Sequence, residues 1–273
     1  IVVLDDGSDD GDTAAAAALE FSDPRIRSYR VESSLGVAGG RNFLMEQARG
    51  EILVSIDDDA VFVGDRALDE VCTIFAHCPD AAAVAFRVTN IVNGVRRLNI
   101  PFSKSAIVRN AVIGDRQTQV SYFIGCGHAI RKAFVQAHGG YRADMVFGEE
   151  ELDIAYRIVR AGYGIVYAPS IEVDHFPRPS VVERRKRRNT SELSCHVRNR
   201  AYLAYRYLPW KYAVPYVCIW MMRYAVDSLR DNSFADFLRG AVATPQFLRG
   251  VRREVLNPTA LMYLAKNGGR LWY

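Results

Sequence analysis

Short apolar runs alternate with helix-like patterns along the first part of the chain. The apolar runs lie at Ile1 to Leu4, Arg25 to Val31 and Glu51 to Ile56, with helix-like patterns between them near 12–20 and 39–48. Strands that alternate with helices are typical of doubly wound α/β proteins. The pattern therefore predicts an α/β fold with a Rossmann-like, mostly parallel sheet flanked by helices.

The middle of the chain is less regular. A strand-like run at Ala83 to Ile91, a turn at Asn93-Gly94 and an apolar stretch at Val120 to Ile124 predict a sheet edge with its loops. A helix is predicted from Glu149 to Gly162, because the apolar positions form one stripe and the first residues are acidic. A further strand, Gly164 to Tyr167, follows it.

The composition changes near residue 180. Residues 178–206 hold nine Lys or Arg against two Glu, whereas the net charge of the whole chain is only +4. Aromatic residues then recur at every fourth position, at Tyr212, Tyr216, Trp220 and Tyr224. We therefore predict an α/β domain over residues 1–180 and a basic, aromatic, helical C-terminal extension over residues 181–273.

Two interpretations of this extension remain open. In the first, residues 181–226 contact an anionic membrane surface. In the second, the four aromatic residues spaced by four, called the aromatic stripe below, pack against the α/β domain, and the basic run at 184–188 is solvated. The uncharged stretch from Tyr212 to Met222 is shorter than the roughly 20 residues that span a bilayer. A nucleic-acid partner is not expected, because no recognition motif accompanies the basic run.

The cysteines and the first residues bear on where the protein resides. Five cysteines without CxxC spacing favour a reducing, cytoplasmic setting. Within the cytoplasm, we expect peripheral contact with the inner face of the cell membrane. The chain begins directly with the buried-strand pattern of Ile1 to Leu4, so we expect an N-terminal truncation.

An acidic cluster follows the predicted strand that ends at Ile56. Side chains alternate along an extended chain, so Asp57 and Asp59 point to one side and Asp58 to the other. Converging carboxylates favour a cation such as Mg²⁺ or Mn²⁺, and His175, after a predicted strand, is an acceptable further ligand. The alternatives are a solvated acidic turn and a structural histidine.

Two other motifs carry potential chemistry. One carboxylate of Glu149-Glu150-Glu151 could act as a general base, or all three could compensate the dipole at the start of a helix. The glycine-rich segment 35–42 precedes a helix and contains Arg41, an arrangement that can approach a phosphate.

Four segments in this order together resemble family-2 glycosyltransferases of the GT-A fold. They are Asp5 to Ser8, Gly36 to Asn42, Ile56 to Ala60 and Gly148 to Asp153. The resemblance covers roughly residues 1–180 and implies a GT-A catalytic domain whose opening strand is missing. It also implies an inverting enzyme that moves a sugar from a nucleoside-diphosphate sugar to a hydroxyl of a glycan, a lipid-linked acceptor or a small molecule.

The resemblance implies roles for particular residues. The donor nucleotide and diphosphate would be bound by Asp5, Asp6, Ser8, Arg41, Asp57 and Asp58. A divalent metal ion, Mn²⁺ or Mg²⁺, would be held by Asp57, Asp59 and His175. Glu151 would be the base with Glu150 beside it, although the family more often has Asp at that position and Glu149 leaves the register open by one residue.

Two rival functions stay open. A sugar nucleotidyltransferase shares the nucleotide, the metal and the sheet architecture, although the Gly-Glu-Glu-Glu helix start at residues 148–151 argues against it. A non-catalytic module that binds nucleotide sugars or glycans would bind the nucleotide without turnover. Uridine and thymidine diphosphate sugars both fit as donors.

Overall fold

The computed structural model describes residues 1–8, 23–110, 112–177, 192–269 and 271. Three features predicted from the sequence lie outside these ranges. They are the alanine-rich helix near 12–20, the basic run at 184–188 and the domain boundary near residue 180.

A central sheet of seven strands organises the α/β part of the molecule. Its strands are β3 (Ile52–Ile56), β4 (Ala60–Val63), β5 (Ala81–Val92), β6 (Val95–Asn99), β7 (Thr118–Gln119), β8 (Gly127–Arg131) and β9 (Gly164–His175). The order is β3-β8-β5-β9-β4, with β6 beside β5 and β7 beside β9. The first strands, β1 (Val2–Asp5) and β2 (Arg27–Arg30), pair with each other in a separate sheet.

The sheet is mixed, so the prediction of mostly parallel strands was wrong in this detail. Among the strands described, β1–β2 and β5–β9 pair in parallel, and the other pairs are antiparallel. One cause is a tight hairpin between β5 and β6, where Asn93 and Gly94 both have positive φ, as two-residue hairpin turns require. The α/β architecture itself, a sheet flanked by helices, is confirmed.

Nine α-helices are described. They are α1 (Gly36–Gln47), α2 (Ala67–His77), α3 (Lys104–Arg109), α4 (Lys132–His138), α5 (Glu150–Arg160), α6 (Glu192–Tyr207), α7 (Trp210–Arg230), α8 (Phe234–Phe247) and α9 (Pro258–Lys266). The helices predicted near 39–48 and at Glu149 to Gly162 are therefore present as α1 and α5. The apolar stretch at Val120 to Ile124 is a loop with a single bridge between Ile124 and Gly127.

The C-terminal helices share one hydrophobic core with the α/β part. Tyr216 and Trp220 of α7 are 1% and 5% exposed and belong to the same cluster as Ile154 and Ile158 of α5. Tyr212 and Tyr224 pack against that cluster. The aromatic stripe therefore faces the protein core, and the interpretation of this stripe as a membrane-facing surface was wrong.

No helix within the described ranges is both long enough and apolar enough to cross a bilayer.

Candidate active site

The turn between β3 and β4 places two carboxylates beside His175. β4 pairs antiparallel with the end of β9, so Ala60 lies opposite His175. The His175 Nε2 atom is 3.1 Å from Asp59 Oδ1, and ligand atoms of Asp57, Asp59 and His175 all lie within 4.8 Å of one another. Asp58 is exposed and does not belong to this group. The alternation predicted for Asp57 to Asp59 is thus present.

This group of three, called the metal cluster below, offers a donor set that suits Mn²⁺ or Mg²⁺. It combines carboxylate oxygens with one imidazole nitrogen. The other ring nitrogen of His175, Nδ1, lies 2.9 Å from Asn90 Oδ1. Such an outer partner orients a metal-binding histidine, and the sequence analysis did not identify Asn90.

Hydrogen bonds with Asp59 and Cys126 raise the pKa of His175 to about 10. A metal ion binds the neutral imidazole, so binding at this site would release that proton.

Arg41 of α1 joins the metal cluster to the acidic start of α5. Its guanidinium donates hydrogen bonds to Asp57 Oδ1 at 3.1 Å and to Glu151 Oε1 at 3.0 Å, and it lies 3.5 Å from Glu150 Oε1. The Arg41 side chain is only 9% exposed. Burial opposes its charge, but the carboxylates around it, Glu151 first, raise its pKa overall. Arg41 therefore carries a fixed positive charge at the centre of the site.

The acidic pair after β1 organises the approach to α1. Asp6 accepts hydrogen bonds from Ser34 Oγ at 2.6 Å and from the backbone N–H groups of Leu35 and Gly36 at 2.6 and 3.0 Å. Asp5 is buried, where it accepts bonds from the Ser8 N–H at 2.9 Å and from Arg30 at 2.8 Å.

The hydrogen bond from the Ser8 backbone is the main cause of a lowered pKa for Asp5. The predicted nucleotide contacts of Asp5, Asp6 and Ser8 stay predictions.

The three glutamates at the start of α5 have different surroundings. Glu149 turns toward α6, where its Oε1 lies 2.8 Å from Arg200 Nε and 3.1 Å from His196 Nδ1. Burial opposes the charge of Glu149, yet Arg200 and His196 lower its pKa overall. The remaining pair, Glu150 and Glu151, faces Arg41.

Glu150 and Glu151 differ in access. The Glu150 side chain is 4% exposed, and burial together with the neighbouring charge of Glu151 raises its pKa to about 8. Its Oε2 atom is buried without a hydrogen-bond partner among the described residues. The Glu151 side chain is 21% exposed and is held by Arg41. Of the three carboxylates, Glu151 is the one open to a ligand.

A cleft of about 500 Å³ lies beside these glutamates. Its lining includes Glu149 to Glu151, the loop 121–125, Phe147, His196 and Tyr216. The loop approaches closely at Gly125, where a Cβ atom would meet the Arg41 guanidinium and the Glu151 carboxylate. The contribution of α6 was not predicted from the sequence, in which His196 and Arg200 lie within the basic segment 178–206 and carry no motif of their own.

Glu150 predicts a pH-dependent contribution to stability. Its folded-state pKa of about 8 lies above the unfolded value of 4.5, so its contribution is fully present below pH 4.5 and is lost as the pH rises through 8. A Glu150→Gln variant lacks this dependence. We therefore expect the melting temperature of the variant minus that of wild type to increase from pH 5 to pH 8 in thermal unfolding scans. A difference that does not change with pH would contradict the raised pKa of Glu150.

Residues 1–139 match the family described as Glycosyl transferase family 2. The chain belongs to this family. An uncharacterised protein of Haemophilus influenzae is 34% identical over 119 residues, which cover 41% of this chain and 58% of that protein. The succinoglycan biosynthesis protein ExoA of Rhizobium meliloti is 25% identical over 186 residues, 67% of this chain and 55% of ExoA.

A third relative has a more specific name. The UDP-Glc:alpha-D-GlcNAc-diphosphoundecaprenol beta-1,3-glucosyltransferase WfgD of Escherichia coli is 33% identical over 66 residues, 24% of this chain and 25% of WfgD. The chain thus spans about half the length of the first and second of these relatives and a quarter of the third.

Solved structures confirm the GT-A fold. GalNAc-T7 with UDP, GalNAc and Mn²⁺ matches with a TM-score of 0.58 at 14% identity, over 92% of this chain and 51% of that one. The mannosyltransferase PcManGT from Pyrobaculum calidifontis, in complex with GDP-Man and Mn²⁺, matches with a TM-score of 0.53 at 19% identity, over 89% of this chain and 77% of that one.

Proposed function

We propose that this family-2 glycosyltransferase transfers a sugar from a nucleoside-diphosphate sugar to an acceptor hydroxyl, depends on a divalent metal ion and inverts the anomeric configuration. The observation that carries the proposal is Arg41, which contacts both Asp57 of the metal cluster and Glu151 of the carboxylate pair. The carboxylate that would hold the diphosphate-bound metal and the carboxylate that would accept a proton both contact this one buried cation. A displacement at an anomeric carbon needs both.

The metal cluster would bind the diphosphate end of the donor. Asp57, Asp59 and His175 would hold a Mn²⁺ or Mg²⁺ ion. The ion would neutralise negative charge on the departing diphosphate. Arg41 keeps Asp57 in place through the hydrogen bond at 3.1 Å. Asp58, exposed beside the cluster, would face the donor without binding the metal.

Glu151 would act as the general base. Its carboxylate takes the proton of the acceptor hydroxyl while that oxygen forms a bond to the anomeric carbon and the bond to the diphosphate oxygen breaks. Because a single displacement is involved, the configuration inverts and no covalent sugar intermediate forms. Glu150, with a pKa of about 8, is largely protonated at neutral pH and so is poorly suited to accept that proton.

The acceptor would be a glycan or a lipid-linked saccharide of polysaccharide or cell-envelope biosynthesis. Support comes from the relatives, since the name of ExoA refers to succinoglycan biosynthesis and that of WfgD to a diphosphoundecaprenol acceptor. A lipid-linked acceptor favours a cytoplasmic protein peripheral to the membrane. Contact would use the outer side of α7, where Val214, Met222 and Leu229 are 56%, 65% and 63% exposed.

The test is turnover with a panel of UDP-, dTDP- and GDP-sugars in the presence of Mn²⁺. We expect release of nucleoside diphosphate with donors of one base, and loss of this release with EDTA, since the charge on the leaving diphosphate is then not neutralised. A nucleotidyltransferase would instead form pyrophosphate from a nucleoside triphosphate and a sugar phosphate. A binding module would bind the nucleotide and release nothing from any donor, and either result would overturn the proposal.

A further inference from the structure

Helix α6 holds the loop formed by residues 144–149, which leads into Glu150 and Glu151 at the start of α5. The key residue is Asn199, which is completely buried. Its Nδ2 donates hydrogen bonds to the carbonyl oxygens of Met145, Phe147 and Gly148, at 3.0, 3.1 and 2.8 Å. An amide nitrogen has two hydrogens, so at least one of them is shared between acceptors. One side chain thus binds three of the four backbone carbonyls from Met145 to Gly148.

The two neighbours of Asn199 hold the same loop at its ends. Arg198 donates from NH2 to the carbonyl oxygens of Asp144 and Met145, at 3.0 and 3.3 Å. Arg200 donates from Nε to Glu149 Oε1 at 2.8 Å and from NH1 to Tyr216 Oη at 2.7 Å. Three consecutive residues of α6 therefore contact the loop from residue 144 to residue 149.

The backbone of this loop is strained, which explains why it needs such support. Val146 and Glu149 have φ values of 59° and 72°, and Gly148 has 76°. A β-branched residue is rarely found in that region, because its side chain crowds the backbone. Such conformations persist only where the surrounding structure holds them. The residues that directly follow the loop are Glu150 and Glu151.

We propose that Asn199 and Arg200 are positioning residues, which hold the loop 144–149 so that Glu151 meets Arg41 and the acceptor hydroxyl. The inference rests on the proposed function, because it assigns α6 a part in the action of the base. It also gives the C-terminal extension a role in catalysis, through contacts with the loop and not with the donor. The metal cluster lies in the turn between β3 and β4 and at the end of β9, so none of its three residues belongs to α6 or to the loop 144–149.

The experiment compares Asn199→Asp and Arg200→Lys with wild type. Asp at 199 has nearly the same shape but presents oxygen to three carbonyls, and Lys at 200 keeps the charge but loses the planar guanidinium. We expect kcat for donor turnover to fall about 10- to 100-fold, because a displaced base loses alignment. The dissociation constant for the nucleotide with Mn²⁺ should stay within about twofold, and the pH profile of kcat should shift.

Asn257→Ala is the matched control. Asn257 also supports backbone, since its Oδ1 accepts a hydrogen bond from Ala260 N at 2.8 Å, but it caps α9. Its loss should lower the melting temperature and leave kcat unchanged.

A readout independent of activity is hydrogen exchange of the amides from Gly148 to Glu151. We expect faster exchange in Asn199→Asp and unchanged exchange in Asn257→Ala.

The outcomes separate the two proposals. Wild-type kcat in both α6 variants, or loss of nucleotide binding in parallel with kcat, would overturn the positioning role while leaving the proposed function intact. Absence of turnover in the wild type would contradict the proposed function. In that case unchanged exchange in Asn199→Asp would overturn the inference that α6 holds the loop, and faster exchange would support it.

Discussion

An Asp59→Asn variant is expected to lose Mn²⁺-dependent nucleotide binding and at least about 100-fold in kcat/KM. The change removes one carboxylate charge from the metal cluster while keeping the shape of the side chain. A metal ion at a departing oxygen contributes several kcal/mol, and about 3 kcal/mol already corresponds to roughly 100-fold in rate. Isothermal titration of the nucleotide with and without Mn²⁺, together with donor turnover, measures both effects.

Asp58→Asn is the matched control for this variant. It makes the same chemical change one residue away, at an exposed carboxylate outside the metal cluster. We expect nucleotide binding to remain metal-dependent with at most a few-fold loss of affinity, because Asp58 would face the donor but does not belong to the metal cluster. Equal losses in the two variants would indicate a general effect of acidic charge in the turn and would contradict a specific ligand role for Asp59. Wild-type behaviour of Asp59→Asn would remove the metal cluster from the mechanism.

The metal cluster was largely predictable from the sequence, because it depends on local rules. Alternation of side chains along an extended chain separates Asp58 from Asp57 and Asp59. His175 was expected at the exit of a strand, and the structure adds that this strand is the neighbour of β4. Asn90, which orients the imidazole, could not be predicted, since it reaches His175 through the register of β5 on β9.

The direction of the strands and the role of α6 were not predictable in the same way. Alternating strands and helices suggest parallel pairing, but the pairing partner of each strand is decided by the whole sheet, and here β8 inserts antiparallel between β3 and β5.

Asn199 of α6 lies in a charged stretch of sequence, whereas in the structure it is completely buried. Its partners are backbone carbonyls about fifty residues away in the chain. Every residue has a backbone carbonyl, so the residue types do not show which carbonyls accept these hydrogen bonds.

The aromatic stripe shows how one pattern can satisfy two interpretations. Spacing by four residues predicts the helix and the shared side, and α7 has both. It does not say whether that side faces lipid or protein. The deciding information is tertiary, since Tyr216 and Trp220 are buried in the hydrophobic core that also contains Ile154 and Ile158 of α5.

A Glu151→Gln variant is expected to lose about 10²- to 10⁴-fold in kcat while it binds the nucleotide and Mn²⁺ normally. Gln keeps the size of the side chain and can still accept a hydrogen bond from Arg41, but it cannot take the proton of the acceptor hydroxyl. Single-turnover transfer or donor hydrolysis measures the loss, and titration of the nucleotide with Mn²⁺ checks binding.

The neighbouring variant Glu150→Gln decides between the two glutamates. Glu150 is buried with a pKa of about 8, so at pH 7 it is mostly neutral, and an uncharged amide is a close substitute. We expect its kcat at pH 7 to stay within about tenfold of wild type. If Glu150→Gln instead caused the larger loss, the buried carboxylate would be the base, and the access of Glu151 to the cleft would be incidental. The base would then be one residue closer to the loop 144–149, which α6 holds.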